Sequence, residues 1–501
     1  MEKHGKKIKK NLISGFLYQA VLVIISFLLP RLYLENFGSA VNGVLSTVKQ
    51  IFTYMCLLEA GVGLATTQAL YKPLAEHDRK SVSSVLSATN KYYIKTGVVY
   101  SAIVLLIAVF YSFVIPTDIS GSVLFTIIIL NALPSLFSYF VQAKYRLLME
   151  ADGRKYVINN AETFLQLAVS AGKILVLLLT DSIVLIQLVY CVFAIIEMAY
   201  LYIYAKKRYT WLNLNEKPDY KAISQKESVL VHQISGMVFN NTDIILLSVL
   251  CDFKVVSVYS IYNIFFSQVQ NFLTNIISGF SFALGQIFHA DREKFLKLYS
   301  VYETFYIMTT FFIYTLMAVF LLPLIQIYTG GINDAQYTNA LLLFLFAVMN
   351  MLANGKLPSN HVIEYSGKFR ETRTHAIIEM VVNITVSVFA IIKWGICGAL
   401  MGTAAALVVR SIQTVYYANK KVLKRSMLET YKLWLINSAV FAFVMILFFT
   451  DTFCGLSFGQ LLIQGIIHSI WIFALYIGMN FLFRRNAFKT ALKLIRKEET
   501  L

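Results

Sequence analysis

Five polar stripes run through segments that are otherwise apolar, and two of the stripes carry a lysine. Asn42, Ser46, Lys49 and Thr53 recur at helical spacing, and so do Thr163, Gln166, Ser170 and Lys173. Residues three or four apart share one face of a helix. Gln233, Gly236, Asn240 and Asp243 form a third stripe. Asn263, Ser267, Gln270, Thr274 and Ser278 form a fourth, and Glu379, Asn383 and Ser387 a fifth. A single serine or threonine in such a place is ordinary helix–helix adhesion, worth about 0.6 kcal/mol on average. Five coherent stripes imply a shared hydrated cavity instead, because unsatisfied polar groups are costly in hydrocarbon. A lysine at mid-membrane needs water or an anion beside it. The expected feature is a hydrated cavity in which each lysine meets water or an anion. Lys49 and Lys173 supply the charge, and Asn42, Gln166, Asn240, Asn263 and Gln270 line the cavity.

Other charges have more than one reading. Arg31 ends the first apolar run after Pro30, where an interfacial anchor and a ligand contact are both open. Arg410 either lines the cavity or pairs with an acid. Asp243, Glu59 and Glu379 are candidates for gating or ion coupling. Asp243 either bridges to a lysine of the other half or binds a proton or sodium ion. Glu59 suits an internal pairing near the cytoplasmic side. Glu162 and Glu303 read as helix N-terminal charges.

The elements that must hold these residues are membrane spans. The chain is 58% hydrophobic and 14% charged, with a mean hydropathy of +0.65; a soluble chain is about 25% charged. Apolar runs long enough for a bilayer core of roughly 30 Å recur throughout. They predict an all-α polytopic protein of about fourteen spans. The first five are expected at 12–34, 41–65, 96–115, 121–142 and 159–180. The next five are expected at 183–205, 229–251, 256–287, 299–326 and 337–357. The last four are expected at 375–393, 396–417, 433–452 and 456–483. The net charge of +17 comes from alternate loops such as "KYRLLMEADGRK" and "NKKVLKRS". Basic loops mark the cytoplasmic side, so both termini are placed there. No basic patch interleaved with aromatics suggests nucleic acid. The five scattered cysteines show neither disulfide nor metal spacing. No catalytic residues, metal or cofactor are expected, and no nucleotide-binding GxxxxGK[ST] occurs.

A repeat relates the two halves. "EADGRKYVINNAETFLQLAVS" resembles "EYSGKFRETRTHAIIEMVVNITVS". Glu150 and Gly153 match Glu364 and Gly367; after a short insertion Glu162, Gln166 and Ser170 match Glu379, Asn383 and Ser387. Both copies run outward from a cytoplasmic loop, so the repeat is parallel. The expected organisation is an N-lobe at 1–205, a linker at 206–228 and a C-lobe at 229–417. Two appended spans come next at 418–483, and then a basic tail at 484–501.

The local sequence narrows the family. "LLPRLYLENFGSAVNGVLS" followed by "LLEAGVGLATTQALYKPLAEHD" resembles the N-terminal region of bacterial polysaccharide-export flippases. "NNTDIILLSVL" resembles the opening of their second lobe. "YSGKFRETR" followed by "NITVSVFAIIKWGICGALMGTAAA" resembles their later span pair. These flippases belong to the multidrug/oligosaccharidyl-lipid/polysaccharide (MOP) exporter superfamily. The resemblance implies V-shaped six-helix lobes in the bacterial cytoplasmic membrane. It implies alternating access that moves an undecaprenyl-diphosphate-linked oligosaccharide to the outer leaflet through a cationic cavity. Lys49 and Lys173 match that role best, with Arg31 and Arg410 next. The partners implied are that lipid-linked oligosaccharide, membrane lipids, and the polysaccharide polymerase and chain-length machinery. A cation-coupled multidrug exporter of the same fold is the chief rival. Exporters of that kind commonly carry an acid in span 1, and here none precedes Glu35. A scaffold subunit and a membrane-embedded glycosyltransferase fit less well: the first leaves the stripes unexplained, and the second needs a substantial outer loop.

Overall fold

The computed structural model describes residues 2–114, 119–180, 182–223, 242–448, 453 and 455–495, and every regular element among them is helical. Eleven helices among the described residues are long and apolar enough to cross a membrane. The first of these, Leu17–Met55, holds most of the first two expected spans. Helix α1 (Glu2–Met55) is interrupted at Gly38, which adopts φ 75° and ψ −177°. Glycine alone reaches that region cheaply, so the chain can turn between the two spans there. A second break at Cys56 separates α1 from α2 (Leu57–Ala75). Part of the expected span at 229–251 lies outside the described residues.

The chain forms two compact units, Met1–Ser257 and Val258–Leu501. The first contains α1, α2, α3 (Arg79–Phe113), α4 (Gly121–Phe137) and a π-helical turn at Ser138–Gln142. It continues with α5 (Ala143–Ala151), α6 (Lys155–Leu179), α7 (Ile183–Arg208), α8 (242–250) and the start of α9 (Phe253–Ala290). Its core is rich in tyrosine: Tyr93, Tyr100, Tyr111 and Tyr139 are buried. Tyr100 meets Tyr139 edge-on at 5.2 Å between ring centroids. Lipid is as apolar as these side chains, so packing and hydrogen bonds hold the helices together rather than the hydrophobic effect. Gly43 shows how close that packing is. A Cβ there would collide with the Phe253 carbonyl. One residue away, Asn42 donates a buried hydrogen bond to Ser257 at 2.8 Å.

The second unit holds the rest of α9, α10 (Arg292–Tyr328), α11 (Ala340–Gly355) and α12 (Leu357–Tyr365). It also holds α13 (Phe369–Trp394), α14 (Ile396–Tyr416) with a π-helical end, α15 (Leu428–Leu447), α16 (Phe458–Phe483) and α17 (Arg485–Ile495). Tyr262, Phe266, Phe346 and Tyr314 stack in its core. Helices α13 and α14 pack backbone to backbone. Cβ atoms at Gly398 and Gly402 would strike Ala390 and Ser387. The basic C-terminal segment forms α17, whose Phe488 packs on Phe305 and Phe481.

The repeat is visible in the backbone. After α5, Gly153 has φ 69°, its N–H bonds the Glu150 carbonyl, and Arg154 N–H bonds Met149. After α12, Gly367 has φ 66°, and the same two bonds run to Glu364 and Ile363. This is the Schellman ending, with glycine in the left-handed position. A third copy closes α2, where His77 takes φ 57°.

Glu303 differs from its sequence reading. Asp291 caps α10 by accepting from Lys294 N–H, so the helix begins about three turns before Glu303. Glu303 is buried and paired with Arg425 at 2.7 Å. Thr430 donates to the same carboxylate.

Candidate functional site

The first unit places both lysines where helices α1, α6 and α7 meet. Lys173, on α6, lies 5.8 Å from the Tyr33 ring of α1 and 5.7 Å from the Tyr190 ring of α7. Tyrosine faces attract an ammonium without neutralising it. Lys49 is near enough for its charge to act on Lys173. Lys49 itself is an exposed residue. Among the described residues, no carboxylate pairs with either lysine. The Tyr33 hydroxyl, on a buried residue, has no hydrogen-bond partner among the described residues. Two ammonium groups that repel each other, with an unused hydroxyl donor close by, favour an anion that accepts from all three.

A second charged group of the first unit centres on Arg146 of α5. Its guanidinium pairs with Glu162 of α6 and stands 3.8 Å from Glu197 of α7. Glu59 of α2 also acts on it. Gln142, the last residue of the π-helical turn, lies against Glu197. A π turn inserts an extra residue into the helix and rotates the residues after it; such turns are frequent at functional sites.

The second unit has its own charged group. Pro358 lies in the first turn of α12 and lacks the N–H that would continue α11. The helix therefore breaks at Lys356, whose ammonium reaches Glu379 of α13 at 2.6 Å. Arg410 of α14 contributes a second cation, its Nε 3.4 Å from the other carboxylate oxygen. Of the two sequence readings for Arg410, pairing with an acid is the one the geometry displays.

The remaining expected residues are dispersed. Arg31 pairs with Glu35 one turn on, at 2.6 Å. Asn42 is taken up by Ser257. Gln166 is half-buried on α6, on the same helix as Lys173. Asn263 and Gln270 are half-buried on α9, in the second unit. Asp243 is buried at 6% exposure, next to Thr242, whose hydroxyl is 2.7 Å from that of Tyr54. Asn240, Gln233 and Gly236 lie outside the described residues. Sequence reasoning missed Tyr33, Gln142, Arg146, Glu197 and Lys356. The repeat held a signal for one of them: the spacing that relates Glu150 to Glu364 also relates Gln142 to Lys356.

No family profile and no curated protein sequence matches the chain. Solved structures do. The lipid II flippase MurJ, in an inward closed conformation, aligns with a TM-score of 0.69 at 13% identity, over 95% of this chain and 99% of that one. The chain shares the fold of that flippase. An inward-facing multidrug-resistance MATE transporter of the MOP superfamily aligns at 0.65 and 12% identity, over 80% of this chain and 95% of that one. A MOP-superfamily transporter from Pyrococcus furiosus aligns at 0.51 and 12% identity, over 84% and 97%. These three structures are a flippase and two transporters by name.

Proposed function

We propose that this protein is a flippase. It moves an undecaprenyl-diphosphate-linked oligosaccharide from the inner to the outer leaflet of a bacterial cytoplasmic membrane, for surface polysaccharide synthesis. The observation that carries the reading is the Lys49–Lys173 pair, which lacks a carboxylate among the described residues and has the Tyr33 hydroxyl beside it. A diphosphate cannot cross hydrocarbon bare, and two ammonium groups facing it lower that barrier. The lipid tail stays in the bilayer while the head group passes. Alternating access with both termini cytoplasmic completes the proposed cycle.

The test is transport by Lys49→Ala, Lys173→Ala and the double variant, reconstituted with lipid-linked oligosaccharide. Each lost charge-assisted contact is worth about 1.5–3 kcal/mol. Each single variant should therefore transport roughly ten- to a hundredfold more slowly, at unchanged protein abundance. Wild-type rates in the double variant sink the reading. In a deletion strain, lipid-linked sugars trapped on the cytoplasmic face support flipping. Unchanged glycans with raised drug sensitivity point to a multidrug exporter of the same fold.

A further inference from the structure

The two units carry a matched arginine that is employed differently in each. Asp78 and Arg79 open α3 as Asp291 and Arg292 open α10, and in both helices the aspartate is the N-cap. Each helix leads into the broken span that ends at a matched glycine, Gly153 or Gly367. In the second unit Arg292 is a clamp. Its Nη2 donates to the Val422 and Leu423 carbonyls at 3.0 and 2.8 Å, closing the π-helical end of α14. The spacing from Gly153 to Gly367 carries Arg208 onto Val422 and Tyr209 onto Leu423. In the first unit that clamp is not made. The Tyr209 carbonyl takes the Leu212 N–H instead. Arg79 turns to Trp211, its guanidinium carbon 5.7 Å from the ring centroid.

A cavity of about 690 Å³ lies among these groups, lined by Arg79, Arg208, His77 and Trp211. Asp78 and Asp152 line it too, and both are engaged. Asp78 accepts from Lys80 and Ser81 N–H, so the start of α3 is satisfied by its own cap. Asp152 pairs with Arg154 at 2.6 Å and accepts from the Tyr209 hydroxyl at 2.9 Å. Among the described residues, neither Arg79 nor Arg208 meets a carboxylate or a carbonyl. An indole face attracts a guanidinium and leaves its N–H donors free. Two such forks side by side match the oxygens of a phosphate group. The lysine site is remote: Arg208 stands eighteen residues beyond Tyr190 on α7, about 27 Å along the helix.

We propose that this cavity is a separate anion site, which takes a phosphate ester between Arg79 and Arg208 with Trp211 against its apolar part. Such a group arrives from either of two sources, a soluble nucleotide or a phospholipid head group of the adjoining leaflet. The second unit lacks the site, because its arginine is held by carbonyls and valine stands in place of Arg208. The proposal does not rest on the flippase reading, so the two can fail separately.

The experiment uses the purified full-length protein in phosphatidylcholine nanodiscs. ADP and inorganic phosphate are titrated by calorimetry, and retention of added phosphatidylglycerol is counted by native mass spectrometry. The wild type should bind at least one of these probes. Arg79→Gln and Arg208→Gln should each weaken that binding roughly ten- to a hundredfold. A loss seen with ADP or phosphate identifies the soluble source; a loss confined to phosphatidylglycerol identifies the lipid. Arg292→Gln should show the reverse pattern, a lowered unfolding temperature with binding unchanged. The proposal is overturned if the wild type binds none of the probes, or if the double variant Arg79→Gln, Arg208→Gln binds each as the wild type does. It is equally overturned if Arg79→Gln lowers the unfolding temperature as far as Arg292→Gln, since both arginines would then be structural clamps.

Discussion

Glu162 and Glu379 occupy matching places in the two halves, yet they keep opposite company. In the first unit the glutamate shares Arg146 with Glu59 and Glu197, so acids outnumber cations three to one. In the second it holds Lys356 and Arg410, so cations outnumber acids two to one. The repeat spacing locates the exchange. Gln142 stands where the second half has Lys356. The spacing from Glu162 to Glu379 carries Glu197 onto Thr414. Both halves break the same span at the same point, one with a π turn ending at Gln142 and the other with Pro358 after Lys356. The second half has gained a cation at one matching position and the first an anion at another, so the matching glutamates sit in groups of opposite net charge. Topology and charge are therefore separately adjustable in this fold: the helix break is kept, while the residue at the break and those on the facing helices set the net charge.

The largest expected effect tests that asymmetry directly. Arg146→Leu strands three carboxylates and should cost about 3–5 kcal/mol, read as lost abundance or a lowered unfolding temperature in detergent. Lys356→Met should cost less, about 1–3 kcal/mol, because Arg410 still serves Glu379. Equal losses would break the comparison. Next comes Glu379→Gln, which leaves two buried cations facing each other. The triple variant Lys356→Met, Glu379→Gln, Arg410→Met should be more stable than that single change, since removing a whole buried ionic group is often neutral. A less stable triple variant would show that the group is essential to packing.

The smaller effects concern the shared turns. Gly153→Ala and Gly367→Ala each force a side chain into the left-handed region, at about 1–2 kcal/mol, and the two losses should agree. No atom would touch the new Cβ at position 367, so that loss is conformational alone. His77→Gly, in the third copy of the turn, should stabilise by up to about 1 kcal/mol. Thermal unfolding of the three variants checks all of these. Unequal glycine losses would mean that the halves share sequence there without sharing energetics.

Much of this is legible in the sequence. Run lengths give the all-helical membrane class, because a bilayer imposes a length on any span. The stripes lead to Lys49 and Lys173, because helical periodicity survives without tertiary knowledge. The repeat around Gly153 and Gly367 reappears as two identical helix endings. The pairings are not legible. Glu379 meets Lys356 and Arg410 only once three helices have taken their rotations, and each helix can satisfy its own periodicity at several rotations. Glu197 sits in "VFAIIEMAYLY" as one acid in an apolar run, without local polar neighbours to mark a stripe. Glu303 reads as a helix-end charge only because Asp291 starts its helix earlier than the hydrophobic pattern does.

The packing of α17 has a practical corollary. Ala487 is buried and Phe488 wedges between Phe305 and Phe481. Arg484 meanwhile pairs with Glu429 of α15. The last helix is therefore a latch on the second unit rather than a spare end. Shortening the chain before Arg484 to aid crystallisation would strip that latch and uncover aromatic surface on the second unit. A purification handle is better appended beyond Leu501 than exchanged for the closing helix.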